Sequence, residues 1–217
     1  MKKMMKSMVC IAIAVALVLS LAACGCGYAN SPEGVIKRVI NAQNNHDYVT
    51  LEKYYEDGEA YEDYADEKIN SIKAYYNYIL EEEDEEFEYM EEMMGEKNVK
   101  AWVNAQIEIE KAVAKRCKVE IDKVDQDGDE AWVEYTVYEP EVDYEDVWDA
   151  VYDEIGLEED EMDDADEGEY TKFIKAYKKH MLKAIKEADV EESYEAERRV
   201  VKDDGKWKIA EDQSKED

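Results

Sequence analysis

Apolar residues recur along this chain in two periods, and the change from one to the other marks out its elements. Val9 to Ala23 is an apolar run without charge. Beyond it, Val35, Ile36, Val39 and Ile40 repeat at helical spacing. Ser31-Pro32 before them reads as an N-cap followed by a first-turn proline. Asn44-Asn45-His46-Asp47 breaks the pattern, and Asp47 can cap a second short helix carrying Tyr48, Leu51 and Tyr55, closed by Asp57-Gly58. A long helix is predicted from about Asp66 to Met94 on the stripe Ile69, Ile72, Tyr76, Ile79 and Leu80, with Phe87, Met90 and Met94 continuing it. Gly95 is a natural stop. Another helix is predicted from about Val99 to Lys115, with Trp102, Ile109 and Val113 on one face.

The period then drops to two. Cys117, Val119 and Ile121 alternate with Lys118, Glu120 and Asp122, and Ala131, Val133, Tyr135 and Val137 alternate again after Asp125–Asp129. Asp127-Gly128 between two such runs predicts a hairpin, because glycine accepts a positive φ. Val142 to Gly156 returns to helical spacing through Tyr144, Val147, Trp148, Val151, Tyr152 and Ile155. Glu158–Glu169 reads as a solvated loop, and Tyr170–Ala188 as a helix with Phe173, Ile174, Tyr177, Met181 and Ile185 inside. Lys172, Lys175, Lys178, Lys179, Lys183 and Lys186 give that helix a basic outer face, which can answer the acidic stretches before it. A second hairpin closes the pattern, with strands near Glu192–Lys202 and Lys206–Glu211 joined at Asp203-Asp204-Gly205.

The first apolar run carries an address. Met1 to Lys6 is a positive n-region, and the fifteen uncharged residues make about 22 Å of helix, short of the roughly 30 Å bilayer core. The run ends in Leu21-Ala22-Ala23-Cys24-Gly25, which resembles the bacterial lipobox. That resemblance implies cleavage before Cys24, with Leu21, Ala22 and Ala23 read by the peptidase. It also implies attachment of fatty-acyl chains such as palmitate at the Cys24 thiol. Each buried methylene contributes about 0.8 kcal/mol, and two chains make a stable anchor. The implied location is the outer face of the cell membrane, with a Gram-positive surface preferred.

Charge changes the list of partners. The chain of 217 residues has 58 Asp+Glu against 27 Lys+Arg, a formal charge of −31. Removal of the leader takes Lys2, Lys3 and Lys6 and no acid. Phosphate binding needs clustered Lys and Arg, so nucleic acid is not an expected partner. Attraction to anionic lipid by charge alone is not expected either. Glu81–Glu92 and Glu158–Glu169 each hold nine acids in twelve residues. Like charges at i,i+4 weaken the second half of the long helix. Both stretches read first as solvated surface, with weak collective cation binding as the alternative.

Local chemistry is sparse. Cys10 lies in the leader, so Cys26 and Cys117 are left beside Cys24. The two could pair outside the cytoplasm. The preferred reading is a tether thiol at Cys26 and a buried small apolar residue at Cys117. No C-x-x-C ligand spacing occurs. His46 and His180 are expected at an exposed helix end or face, with nothing local to suggest a Ser–His–Asp or Cys–His site. Asp125, Asp127 and Asp129 fail as an EF-hand, because Gly128 stands at loop position four and Thr136 at twelve. No metal and no cofactor is therefore expected, and no catalytic residue is named. The 17 tyrosines against two phenylalanines predict many half-buried rings with wet hydroxyls.

The order of elements resembles the small bacterial lipoproteins with a nuclear-transport-factor-2-like domain. The resemblance rests on Ala42-Gln43-Asn44-Asn45-His46-Asp47-Tyr48, on Asp127-Gly128-Asp129-Glu130-Ala131-Trp132-Val133, and on Val200-Val201-Lys202-Asp203-Asp204-Gly205-Lys206-Trp207-Lys208-Ile209. It covers residues 33–56, 117–139 and 192–211. It implies an α+β fold with amino-terminal helices packed on a small curved antiparallel sheet, and Trp207 and Ile209 in the core. The acidic helical insert before the final hairpin departs from that pattern. The expected organisation is a signal peptide over 1–23, a lipidated tether over 24–32, and one α+β domain over 33–212 with a helical insert at about 141–190. A tail follows over 213–217. Fold alone does not give function. The expected role is a non-enzymatic binding or interaction module at the cell envelope, its partner an envelope protein or a small molecule. The alternatives are a small-molecule or cation-binding lipoprotein and a hydrolytic enzyme.

Overall fold

A computed structural model describes residues 30–81 and 85–213. These form eight α-helices, one 3₁₀ helix and four strands among the described residues: α1 (Pro32–Asn44), α2 (Tyr48–Tyr54), α3 (Glu59–Asp66), α4 (Ile72–Glu81), α5 (Glu85–Met94), α6 (Glu96–Arg116), β1 (Lys118–Asp127), β2 (Glu130–Pro140), α7 (Tyr144–Ile155), the 3₁₀ turn Glu159–Asp164, α8 (Glu167–Glu187), β3 (Val190–Asp203) and β4 (Lys206–Ile209). The class is mixed α+β, with an open antiparallel sheet in the order β1-β2-β3-β4. Among the described residues no helix is long and apolar enough to cross a membrane.

The described chain divides into two compact units. One, the sheet unit, takes residues 30–75, 113–139 and 190–213. The other, the helical unit, takes residues 76–81, 85–112 and 140–189.

In the sheet unit, Ser31 caps α1 by accepting the Gly34 N–H at 3.2 Å. The helix then packs on β1, β3 and β4. Its apolar face, Val35, Ile36, Val39 and Ile40, is buried against Val133, Val137, Val200, Trp207 and Ile209. Asp47 caps α2 twice over, accepting the Thr50 N–H at 3.0 Å and the Thr50 hydroxyl at 2.7 Å. Gly128 opens the first hairpin turn at φ +63°, and Asp204 and Gly205 make the second at +48° and +77°. The two successive positive φ values of the second turn match the right-handed twist of the strands it joins. Between Ile121 and Lys123 the β1–β2 register slips by a residue. The extra Asp122 accepts a 2.8 Å hydrogen bond from Thr136. That bulge lets Val124 follow Val119 and Ile121 in packing on the core although it falls out of strict alternation.

In the helical unit, α7 and α8 pack on each other. Rings from α6, α7 and α8 stack: Tyr177 lies 4.9 Å from Trp102 and 5.0 Å from Trp148, and Phe173 lies 5.9 Å from Trp148. Asp143 caps α7 through the N–H groups of Glu145 and Asp146, and Gly156 ends it at φ +73°. Asp166 and Glu169 form a reciprocal capping box at the start of α8. Asn98 donates to the Met94 and Glu167 carbonyls, both at 2.8 Å. Glu110, 2% exposed, accepts a 2.5 Å hydrogen bond from the Tyr76 hydroxyl.

Three sequence expectations need correction. The long helix does not begin at Asp66. Residues 59–66 are a separate helix, Lys68 turns the chain at φ +59°, Asn70 bridges back to Asp47, and Ser71 restarts the helix by accepting the Ala74 N–H. Helix α3 buries no residue of its own, so it has no apolar stripe for periodicity to detect. The stretch Glu158–Glu169 is not a plain loop. It winds into a 3₁₀ turn that buries Met162, whose carbonyl accepts the Tyr170 hydroxyl at 2.9 Å. His46 is not exposed: it is buried at φ +51°, where the break between α1 and α2 turns it inward.

Candidate functional site

The sheet unit holds a pocket of about 210 Å³. The helical repeat of α1 supplies Ile36, Val39, Ile40 and Gln43 as one wall. Strand alternation brings Tyr135 from β2, Tyr194 and Arg198 from β3, and Ile209 from β4. Tyr55 closes the remaining side. It is fixed there because its residue bridges Ile209 and the next N–H, of Glu56, donates to the Ile209 carbonyl at 2.8 Å.

The polar groups of this lining are hydroxyls, an amide and a guanidinium, with no histidine or carboxylate among them. Gln43 donates to the Tyr55 hydroxyl at 3.4 Å. Burial, reinforced by Tyr61, pushes the Tyr55 phenol well above its ordinary range. Tyr194 is still 42% exposed, and the burial of its remainder raises its phenol, with Tyr135 and Glu139 adding to the rise and Arg198 opposing it. Tyr135 is raised by burial as well, with the Arg198 guanidinium within hydrogen-bonding reach of its hydroxyl and opposing the rise. All three phenols therefore keep their protons near neutral pH, and each can donate a hydrogen bond.

A second, more open groove of about 360 Å³ runs between the first turns of α1 and the β1 bulge. Glu33, Lys37, Asp122 and Lys123 line it with both signs of charge. Next to α2, Tyr75 stacks on His46 at 4.3 Å with an interplanar angle of 4°, and Tyr64 stacks on Tyr48 at 4.7 Å. His46 Nδ1 lies 3.3 Å from the Tyr48 hydroxyl. In the helical unit His180 lies 2.7 Å from Glu154, which also pairs with Lys179.

No protein-family model and no curated protein sequence matches the chain. Among solved structures, the chain is similar to the crystal structure of the ycdA protein of Bacillus subtilis, described as a lipoprotein. The identity is 23% and the TM-score 0.31, over 52% of this chain and 34% of that one. The chain thus spans about a third of that protein's length. The site has to be read from its own residues.

Leu21, Ala22, Ala23 and Cys24, the residues on which the sequence places the anchor, lie outside the described residues, as does Cys26. Cys117 is a free, buried thiol that burial pushes up to about 12. Asp125, Asp127 and Asp129 are exposed at and beside the hairpin turn, with Lys123 3.9 Å from Asp125 and Lys202 3.5 Å from Asp129. Among the described residues no group of three or more His, Cys, Asp or Glu side chains is placed to hold a metal ion. Sequence reasoning did not find Arg198. The signal was there: Tyr194, Ala196, Arg198 and Val200 alternate onto one face of β3, and an arginine in that row stands out among aliphatic and aromatic neighbours.

Proposed function

We propose that this chain is an extracytoplasmic lipoprotein, held on the cell membrane through Cys24, whose sheet unit is a non-enzymatic binding module. The anchoring half of the reading is supported by the leader and by Leu21-Ala22-Ala23-Cys24-Gly25. The binding half rests on one observation, the pocket between α1 and the sheet. Its floor is aliphatic and its polar groups are tyrosines, an amide and Arg198, so it can hold and orient a ligand. Acid–base catalysis calls for a group that gives or takes a proton near neutral pH, and the phenols lining this pocket titrate far above it. The helices preceding the sheet, with α1 lying on it, support a nuclear-transport-factor-2-like reading of this unit.

Two experiments test the two halves. The full chain and its Cys24→Ala variant are expressed with labelled palmitate in a bacterial host. Label and membrane fractionation are expected for the first and lost in the second; a membrane-bound, labelled variant would overturn the anchor. Thermal unfolding is then followed against a panel of envelope sugars and peptides. A ligand at 100 times its dissociation constant adds roughly 2.7 kcal/mol, a rise of roughly 5–11 °C in a chain of this size. The rise is expected to vanish in Ile40→Trp, which fills the pocket; a rise that survives the substitution would place binding elsewhere.

A further inference from the structure

Arg198 and Arg199 are neighbours on β3, and strand alternation sends them to opposite faces. Arg199 is answered by the chain itself: its Nε and one terminal nitrogen donate to the two oxygens of Glu130 at 2.7 and 3.1 Å. Arg198 lines the mouth of the pocket and is solvent-exposed. Among the described residues no carboxylate lies within ion-pair distance of it, in a chain carrying 58 acids. The Tyr135 hydroxyl is within its hydrogen-bonding reach, which leaves most of the guanidinium fork open. The hydroxyls of Tyr135 and Tyr194 add further donors to the lining, while the Tyr55 hydroxyl is engaged with Gln43 at 3.4 Å and with Tyr61. Glu139 acts electrostatically on Tyr194 but forms no part of the lining. The pocket is therefore rich in donors, above the side chains of Ile36, Val39, Ile40 and Ile209, which are 1–3% exposed and show it a narrow aliphatic floor.

We propose that the ligand of this pocket is a small carboxylate with an apolar body, its anion held by Arg198 and its body lying on the aliphatic floor. The inference rests on the binding-module reading given above. A planar guanidinium fork matches a planar carboxylate in two parallel hydrogen bonds. The volume, about 210 Å³, falls below the roughly 300–1,000 Å³ of pockets for drug-sized ligands and sets the ligand's size at about that of a substituted benzoate. The electronegative remainder of the protein does not exclude such an anion, because the acids lying beyond about a Debye length are screened while the fork acts at contact distance.

Benzoate and its neutral isostere benzamide are suitable probes. The full chain in detergent micelles is titrated with each, and binding is read from the side-chain NMR signals of Tyr135 and Arg198. Benzoate is expected to bind about tenfold or more tighter than benzamide. Arg198→Gln is expected to remove that difference and Arg198→Lys to retain part of it. Arg199→Gln, which alters the guanidinium on the other face, is expected to leave it unchanged. Equal affinity for the two probes in the unaltered chain would overturn the carboxylate assignment while leaving the pocket as a binding site. Absence of any change at Tyr135 with either probe would overturn both. A benzoate preference that persists in Arg198→Gln would place the anion contact on another residue.

Discussion

Glu110 is a carboxylate with 2% exposure in the helical unit, and Tyr76 donates to it at 2.5 Å. A buried acceptor that loses a donor costs more than the bond was worth in water, because desolvation is no longer offset. Tyr76→Phe keeps the ring and removes only the hydroxyl. It should lower unfolding stability by about 1–3 kcal/mol, read as a fall in the urea midpoint with unchanged slope. A midpoint equal to that of the unaltered protein would mean that other contacts of Glu110 carry it. The sequence contained a sign of this residue. Val103, Gln106, Ile107 and Glu110 recur at three- and four-residue steps on the buried side of α6, so Glu110 shares a face with core residues. What hid it was number, since one carboxylate among 58 acids does not declare itself until the helix is given a neighbour. Arg198 was hidden differently. Its strand was legible, but the wall that makes it part of a pocket comes from α1 and Tyr55, well over a hundred residues earlier.

Local chemistry decides the elements where a cap or a turn is written in a few residues. Ser31, Asp47, Asp143 and Asp166 each sit at a helix start and accept N–H groups of the first turn, and all four of those helices are placed within three residues of their starts by the sequence pattern. Asp47 makes the sharpest case, because it holds both the Thr50 N–H and the Thr50 hydroxyl and sits where Asn70 bridges back. Asp47→Ala should cost about 0.5–2 kcal/mol, whereas Asp47→Asn should keep much of the cap. Chemical denaturation of the two variants checks the ordering, and equal losses would point to the charge rather than the cap. The elements that sequence missed are those with weak apolar signatures. Helix α3 buries no residue, and the 3₁₀ turn Glu159–Asp164 anchors itself on Met162 within a run of acids. Periodicity finds a face that meets a core, and neither of these has one of useful length.

At the scale of the whole molecule, a formal charge of −31 works against the compact state, since folding crowds like charges that the unfolded chain spreads apart. Raising sodium chloride from about 0.01 M to about 0.5 M shortens the Debye length from about 30 Å to a few ångströms and should raise the melting temperature. A flat or falling response would mean that attractive pairs such as Lys178–Glu108 and Arg199–Glu130 dominate instead. Alkali acts in the opposite direction and through identified groups. Burial raises the Cys117 thiol from 9.0 to about 12, and raises Tyr152, Tyr177 and Tyr194 from 10.0 to about 12. Each is an acid that holds its proton longer when folded, so the unfolded chain ionises first. Their contribution is complete below about pH 9 for the thiol and about pH 10 for the phenols, and is lost as the pH climbs toward about 12. Tyr177 is the most buried of the three phenols, at 1% exposure. Tyr177→Phe removes its titration while keeping the ring stacked between Trp102 and Trp148. Melting temperature measured between about pH 8 and pH 12 should fall in both proteins, and less steeply in the variant above about pH 10. Parallel curves would show that ionisation of Tyr177 does not limit stability, and that the alkaline loss comes from Cys117 and the mounting negative charge.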